Sequence, residues 1–276
     1  MQKKHLLSLV LLASLGLAAC NQADQNNSNQ AESQDQASQQ DQVARQVNYY
    51  IDPATTRVVP AKEGVDDQVV LATIDDVPRK LPENPTNSVQ EARDMINRGI
   101  KGIFFVNGMY LEGEHGEEGR KALKEIADMG HVIGNHTMTH YDLSEIPNEE
   151  VMRYEIVHNQ DVIEETIGYR PKFFRAPFGS QNPALEAILE EENMVAMTWT
   201  YGFDWEEAYS EPEPLADIMV NTEMLSPGAN ILMHDLTWTR DALPSILDGI
   251  SNKGYGFVDP NEIATREEMK AMGIEP

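Results

Sequence analysis

Short apolar runs of strand length alternate with segments of helical spacing along most of this 276-residue chain. The first run, 68–74, is continuous, rich in β-branched residues and bounded by polar residues, as in a strand that is buried on both faces. Six more runs follow it and end near residue 258. Strand–helix repeats build a mostly parallel sheet with helices outside it. The pattern predicts an α/β fold, a single distorted (β/α) barrel of about seven strand–helix units.

The N-terminal part of the chain does not share this alternation. Lys3 and Lys4 precede an almost wholly apolar run, 6–19, which has the length of a signal-peptide core. The run ends at Leu17-Ala18-Ala19-Cys20, which resembles the lipobox of bacterial lipoproteins, where the cysteine becomes the lipidated first mature residue. Gln, Asn and Ser then fill 16 of the 26 positions in 21–46, a composition typical of a disordered tether. Because Cys20 is the only cysteine, disulfides and thiolate zinc sites are excluded.

We therefore predict four segments: a signal peptide at 1–19, a lipidated Cys20 with its tether at 20–46, a β-hairpin at 47–67 and a globular domain at 68–276. The expected location is the extracellular face of the bacterial cytoplasmic membrane, with the lipid as the only membrane contact. The expected state is a monomer. A formal net charge of −25 repels phosphate backbones, which excludes nucleic acid as a partner.

Polar residues follow five of the predicted strands, where packing gives no reason for them. They are Asp75-Asp76, His136 with His140, Arg175-Ala176-Pro177-Phe178, Asp204-Trp205 and His234-Asp235. Taken singly, an Asp-Asp pair is also typical of a solvated turn, and a lone histidine is typical of a satisfied core residue. In α/β barrels the functional residues lie at the C-terminal ends of the strands. Because all five groups of polar residues follow predicted strands, they favour a single functional site.

The His-x3-His spacing of His136 and His140 predicts that both imidazoles share one face of a helical turn. Gly134 just before them suits a sharp turn of the backbone. The pair alone is a weak signal for a cation site, but Asp75-Asp76 offers the third ligand. Two imidazoles and one carboxylate leave positions open for water and substrate, which is a catalytic rather than a structural zinc pattern.

Taken in order, the motifs resemble those of the polysaccharide deacetylases, the NodB-homology domain of carbohydrate esterase family four. The resemblance covers roughly 69–263, and the lipobox makes the chain similar to lipoprotein forms of bacterial peptidoglycan deacetylases. The matching motifs are Thr73-Ile74-Asp75-Asp76-Val77-Pro78, His136-Thr137-Met138-Thr139-His140, Arg175-Ala176-Pro177-Phe178, Asp204-Trp205 and Ile231-Leu232-Met233-His234-Asp235.

The resemblance implies a metal-dependent mechanism with assigned residues. Asp76, His136 and His140 would bind a divalent metal, usually Zn2+, although Co2+, Ni2+ or Mn2+ accept the same ligands. Asp75 would take a proton from the attacking water, and Arg175 would hold Asp75 by a charge-assisted pair.

The remaining motifs would complete the reaction. His234 would protonate the departing amine, and Asp204 would orient His234. The backbone N–H of Phe178 would stabilise the oxyanion, Leu232 would receive the acetyl methyl and Trp205 would form a wall of the sugar groove. The residues expected to contact substrate are Pro177, Phe178, Trp205 and Leu232.

Three positions depart from the family pattern. Val77 stands where glycine is usual, and because valine disfavours positive φ, the turn is expected to run differently and to narrow the groove. Phe178 stands where tyrosine is common. Tyr201 stands where an acid is common three residues before Asp204, which puts that secondary contact in doubt.

The predicted function is metal-dependent removal of acetyl groups from N-acetylated sugars of a cell-envelope polysaccharide, with peptidoglycan as the expected substrate. Chitin oligosaccharides and O-acetyl groups of xylan remain alternatives within this enzyme class. A non-catalytic sugar-binding lipoprotein and an inactive deacetylase-like scaffold remain alternatives outside it.

The lipobox-like stretch generates a testable prediction. Replacing Cys20 with Ala removes the only thiol that could carry a lipid, so the variant should leave the membrane fraction or fail to mature. Fractionation of cells that express each form measures this, and a variant that stays in the membrane fraction as wild type does would disprove the anchor.

Overall fold

A computed structural model of the chain describes residues 45–79 and 87–276, and the predicted signal peptide, Cys20 and nearly all of the tether lie outside these ranges. The described strands are β1 (Tyr49–Ile51), β2 (Val58–Pro60), β3 (Val69–Val77), β4 (Ile103–Val106), β5 (Val132–Asn135), β6 (Phe173–Phe174), β7 (Val195–Ala196), β8 (Ala229–His234) and β9 (Gly256–Phe257).

Helices follow most of these strands. They are α1 (Asn87–Ile96), α2 (Gly116–Asp128), α3 (Glu149–Arg153), α4 (Asn159–Ile167), α5 (Leu185–Glu191), α6 (Pro212–Asn221), α7 (Thr237–Asn252) and α8 (Arg266–Ala271), with a π-helical segment, Tyr154–His158, between α3 and α4. Within 45–79 and 87–276, no helix has the length and apolar character needed to span a bilayer.

Strands β3 to β9 form one parallel sheet in the order β7-β6-β5-β4-β3-β8, with β9 also paired to β3. The sheet curls until its edges meet, because Tyr201 bridges Ile231 and the Leu232 N–H donates to the Tyr201 carbonyl at 2.9 Å. This curled parallel sheet with its helices confirms the predicted barrel-like α/β fold. The antiparallel hairpin β1–β2 precedes the sheet, as predicted.

Side chains of β3 alternate between two cores. Ala72 and Ile74 pack in the core to which the helices contribute side chains, here called the core on the helix side. Leu71 packs in a second core, together with apolar residues of β4, β6 and β7. Since successive strand residues point to opposite faces, Thr73 and Asp75 continue the inward row that Leu71 belongs to. The buried Asp75 is therefore the last member of this row, at the C-terminal mouth of the curled sheet.

The inward-facing side chains of β8 lie level with those of β3. Ile231 and Met233 belong to the core on the helix side, so Leu232 and His234 face inward. The parallel register pairs Thr73 with Leu232 and Asp75 with His234. Neighbouring strands thus deliver a carboxylate and an imidazole side by side at the mouth.

The structure corrects the role expected for Gly134. This residue lies inside β5 rather than in a turn, and φ is not positive there. A Cβ atom at Gly134 would lie 2.4 Å from Cδ1 of Phe105 on the neighbouring strand. Glycine is therefore required by the close packing between β4 and β5, and the turn toward the histidines is made elsewhere.

This packing predicts the effect of adding one methyl group. Gly134→Ala should lower the free energy of unfolding by about 1–3 kcal/mol, because the new Cβ atom overlaps the Phe105 ring. Gly256→Ala is the matched control, since its Cβ atom would meet nothing closer than 3.4 Å, and it should change stability by less than about 0.5 kcal/mol. Urea unfolding of the full chain measures both, and equal effects would contradict the packing argument.

Candidate active site

The mouth of the curled sheet opens into a cavity of about 440 Å³. The predicted site residues that line it are Asp75, Asp76, His136, His140, Phe178, Trp205, Leu232 and His234. Arg175 and Asp204 are fully buried and contact the residues that line it, and Pro177 is buried at the start of the turn that carries Phe178. The sequence analysis did not identify Arg79 and Trp199, which also line the cavity.

Asp76, His136 and His140 present three potential ligand atoms within 4.8 Å of one another. Asp76 Oδ1 lies 3.4 Å from His140 Nε2 and 3.7 Å from His136 Nε2. No group in the described residues donates a hydrogen bond to this buried oxygen. A cation would complete its coordination, and two imidazoles with one carboxylate are the donor set of an open divalent-metal site. These residues therefore fit a divalent metal.

A backbone contact fixes the orientation of His136. Its Nδ1 lies 2.7 Å from the Arg175 carbonyl oxygen, which can only accept a hydrogen bond, so Nδ1 carries the proton. The lone pair is then on Nε2, the atom that faces Asp76. Burial lowers the pKa of His136, although Asp75 and Asp76 oppose the shift. The neutral ring and its fixed tautomer suit a metal ligand.

The segment between the two histidines is not the helical turn that their spacing predicted. Residues 136–140 are irregular, and both Thr137 (φ 70°) and His140 (φ 59°) adopt left-handed backbone conformations. A right-handed helical turn cannot include such residues. The imidazoles still converge, with ring centroids 4.9 Å apart, so the prediction was wrong about the backbone that brings them together.

Buried side chains hold this irregular segment in place. The Asn135 Oδ1 atom accepts from the Thr137 N–H at 2.9 Å, and Asn107 Nδ2 donates to the His136 carbonyl. The Glu155 carboxylate accepts from both the N–H and the hydroxyl of Thr139. Three of these contacts satisfy backbone groups of the segment, and the fourth joins two side chains. The sequence carried no signal for these supports, because each lies in a different element.

Asp75 is paired with Arg175 inside the curled sheet. Arg175 Nη1 donates to Asp75 Oδ1 at 2.8 Å and to Thr73 Oγ1 at 2.7 Å, and Nη2 donates to the Thr198 carbonyl at 2.9 Å. The guanidinium also lies over the Phe105 ring, 4.4 Å from its centroid. Burial lowers the pKa of Arg175, and the charge of Asp75 opposes this shift. One Asp75 oxygen is thereby fixed, while Oδ2 lies 3.6 Å from His136 Nε2.

The turn after the two aspartates differs from the expectation for Val77. Asp76 itself takes the positive φ, 64°, whereas Val77 does not and packs into the core on the helix side. Val77 therefore does not narrow the groove. Asp235 holds the turn from both sides, because its N–H donates to the Asp75 carbonyl at 3.1 Å and its carboxylate accepts from the Arg79 N–H at 2.7 Å.

Asp204 anchors His234 at two points. Asp204 Oδ1 lies 2.8 Å from His234 Nδ1, and Oδ2 accepts from the His234 N–H at 2.6 Å and from the Thr239 hydroxyl at 2.7 Å. Burial favours a lower pKa for His234, but the charge and hydrogen bond of Asp204, with smaller contributions from Asp75 and Asp76, raise it to about 9. His234 is therefore protonated at neutral pH and can donate a proton.

Two aromatic side chains that line the cavity are exposed to solvent. Phe178, at φ 59°, is 68% exposed and its ring packs edge-on to His140. Trp205 is 48% exposed and packs edge-on to His234. Tyr201, by contrast, is buried and its hydroxyl donates to the Met219 carbonyl, so it makes no contact with Asp204 of the kind an acid would make.

Comparison with known proteins decides the family. The profile described as Polysaccharide deacetylase matches residues 62–197. A peptidoglycan-N-acetylglucosamine deacetylase of Bacillus cereus is 30% identical over 204 residues, which cover 70% of this chain and 70% of that protein. The chain belongs to the polysaccharide deacetylase family.

Other members of this deacetylase family show how far the likeness reaches. A second Bacillus cereus protein of the same name is 33% identical over 183 residues, but the match spans only 61% of its length and 62% of this chain. A solved peptidoglycan N-acetylglucosamine deacetylase aligns with a TM-score of 0.59 and 28% identity, over 72% of this chain and 89% of that one. A Bacillus anthracis pseudoenzyme aligns equally well, at TM-score 0.59 and 23% identity, over 70% of this chain and 63% of that one. The fold of a polysaccharide deacetylase therefore does not by itself establish activity.

The His234–Asp204 pair generates a prediction about pH. Because the pKa of His234 is about 9 in the folded chain and about 6.5 when unfolded, the pairing stabilises the fold fully below pH 6.5 and loses this effect as pH rises to 9. Asp204→Asn should lower the pKa of His234 in an NMR titration. Its deficit in unfolding free energy should shrink by roughly 1–3 kcal/mol between pH 6 and pH 9.5.

Asp241→Asn provides the control, because Asp241 is an exposed aspartate whose ion pair is with the neighbouring Arg240. It should leave the titration of His234 unchanged. A deficit for Asp204→Asn that stays constant over this pH range would mean that the pairing does not control the protonation of His234.

Proposed function

We propose that this protein is a metal-dependent hydrolase that removes acetyl groups from N-acetylated sugars of peptidoglycan. The observation that carries the proposal is that one cavity is lined by the cluster Asp76/His136/His140 and by Asp75 and His234. Asp75 is paired with Arg175, and His234 is paired with Asp204. The cluster can hold a cation, the first pair offers a base, and the second offers an acid. Metal-dependent hydrolysis of an amide by an activated water uses all three.

Asp76, His136 and His140 would hold the cation, for which we propose Zn2+. Such a cation supplies Lewis-acid polarisation of the acetyl carbonyl and lowers the pKa of the attacking water. Co2+, Ni2+ and Mn2+ accept the same imidazole and carboxylate donors. The left-handed backbone at Asp76 and His140 and the hydrogen bond of His136 to Arg175 keep the donors converged before substrate arrives.

Asp75 and His234 move the protons of the proposed reaction. Asp75 accepts the proton of the attacking water, and Arg175 keeps this carboxylate oriented by its 2.8 Å hydrogen bond. His234 lies beside Asp75 in register and gives its proton to the departing amine. Asp204 holds His234 through Nδ1, which directs Nε2 away from Asp204. The Phe178 N–H would stabilise the oxyanion, and Leu232 would contact the acetyl methyl.

The substrate and location are parts of the same proposal. The relatives' names support peptidoglycan, since the two Bacillus cereus proteins described above are both peptidoglycan-N-acetylglucosamine deacetylases. The exposed rings of Phe178 and Trp205 suit sugar faces, which stack on aromatic side chains. The lipobox-like stretch ending at Cys20 supports a lipid anchor on the extracellular face of the cytoplasmic membrane, where peptidoglycan is within reach.

Release of acetate tests the proposal directly. The full chain with Zn2+ should release acetate from peptidoglycan glycan strands, and a chelator should abolish this release. Chitin oligosaccharides and O-acetylated xylan belong in the same panel, because faster release from either would replace peptidoglycan as the substrate. Binding of glycans without any acetate release would indicate a sugar-binding protein or an inactive member of the family.

The division of labour between the two adjacent aspartates generates a prediction. Asp76→Asn should weaken zinc affinity, because a neutral amide is a poorer ligand, and excess Zn2+ should partly restore its activity. Asp75→Asn should keep zinc affinity but lose about 10²- to 10⁴-fold in activity, since the base is missing. Zinc titration and acetate release of the two variants measure this. Equal zinc affinities, or rescue of Asp75→Asn by zinc, would mean that the roles are shared or reversed.

A further inference from the structure

We propose that Arg79 is a specificity-determining residue that binds a carboxylate beside the acetamido group of the substrate. The inference rests on the proposed deacetylase function and narrows its substrate to acidic N-acetylated sugars. Arg79 lines the cavity, and no other lysine or arginine does so in the part of the chain that the structure describes. It lies three residues after Asp76, at the edge of the proposed metal site.

A hydrogen bond fixes the backbone of Arg79, while its guanidinium group stays available to a ligand. Its backbone N–H donates to the buried carboxylate of Asp235 at 2.7 Å, and Asp235 also binds the Asp75 carbonyl through its own N–H. The Arg79 side chain is 37% exposed, and its nearest charged partner is Asp76, with Nη1 3.9 Å from Oδ2. That distance exceeds a hydrogen bond. No acceptor within 45–79 or 87–276 takes a hydrogen bond from the guanidinium.

The contrast with Arg175 shows what is unusual about Arg79. Arg175 is fully buried, and its two terminal nitrogens donate four hydrogen bonds, at 2.7–3.1 Å. Arg79 presents the same planar fork of donors to the cavity. A guanidinium fork matches a carboxylate in two parallel hydrogen bonds. Because Asp76 Oδ1 is turned toward the imidazoles, a cation there would further weaken the attraction of Asp76 for Arg79.

Sugar chemistry identifies the carboxylate. In the proposed reaction the acetyl carbonyl approaches Asp75 and Asp76. Because Arg79 lines the same cavity with Nη1 3.9 Å from Asp76 Oδ2, a substituent on a carbon next to the acetamido-bearing carbon would be within its reach. In N-acetylmuramic acid the neighbouring oxygen carries a lactyl ether that ends in a carboxyl group, whereas N-acetylglucosamine has only a hydroxyl there. The carboxylate is free where no peptide is attached. The favoured substrate is therefore a muramic acid unit in a peptide-free glycan strand.

Three tetrasaccharides of equal length test this inference. One contains only N-acetylglucosamine, one alternates it with N-acetylmuramic acid carrying free lactyl carboxylates, and one has those carboxylates converted to amides. The full chain with Zn2+ should deacetylate the muramic units of the second with a kcat/KM roughly 10- to 100-fold above that for the third. Mass spectrometry of the products identifies the deacetylated unit. Calorimetric binding of the same sugars to the full chain provides a readout that does not depend on turnover.

Matched variants assign the preference to Arg79. Arg79→Gln keeps the backbone N–H that Asp235 binds, and it should abolish the preference for carboxylate over amide in both rate and binding, mainly through KM. Arg79→Lys should retain part of it. Arg93→Gln makes the same change at an exposed arginine paired with Glu125, and it should behave as wild type.

The outcomes separate this inference from the proposed function. If wild type does not distinguish carboxylate from amide, or if Arg79→Gln keeps the preference, the role of Arg79 is disproved even when acetate is released. If no tetrasaccharide releases acetate, the deacetylase proposal fails, and the calorimetric comparison of carboxylate with amide still decides whether Arg79 binds the acid.

Discussion

The buried pair of Arg175 and Asp75 organises the site. A guanidinium with no solvent contact is stable only where acceptors compensate for its lost hydration. Its two terminal nitrogens donate to Thr73, Asp75, Thr198 and Asn230, which belong to β3, to β8 and to the segment after β7, whereas Nε has no partner among the described residues. Strands far apart in sequence are thereby tied together inside the sheet. The Arg175 carbonyl also accepts a hydrogen bond from His136. Arg175 therefore orients both Asp75 and one member of the metal-ligand cluster.

A second layer of support consists of buried amides and one buried carboxylate. Asn107, Asn135 and Asn159 connect the ends of β4 and β5 to α4, and Asn159 Nδ2 donates both to the Val106 carbonyl and to Asn135 Oδ1. The Glu155 carboxylate accepts hydrogen bonds from Thr139, in the segment that carries the histidines. These contacts keep two non-glycine residues in left-handed conformations, which cost free energy unless the surroundings fix them.

The sequence predicted the fold and most of the residues that line the cavity, but not the backbone that aligns them. Continuous β-branched runs and helical spacings depend on local pattern, so the curled parallel sheet could be inferred. The spacing of His136 and His140 suggested a helix, because spacing contains no information about tertiary hydrogen bonds that hold a left-handed residue. Gly134 likewise gave no sign that Phe105, on another strand, required its missing side chain. Trp199 and Arg79 lie outside any motif, so only the three-dimensional structure brings them to the cavity.

The hairpin β1–β2 has a consequence for how a polymer reaches this site. Ile51 and Val58 pack in the same inner core as Val69 and Leu71, and the Val58 N–H donates to the Gly228 carbonyl just before β8. The hairpin thus closes the sheet at the end opposite the cavity, and nothing can thread through the interior. Under the proposed function, a glycan would lie across the mouth, where Phe178 and Trp205 are exposed. Such a side-on approach would leave units in the middle of a strand as accessible as its ends, as an endo-acting enzyme requires.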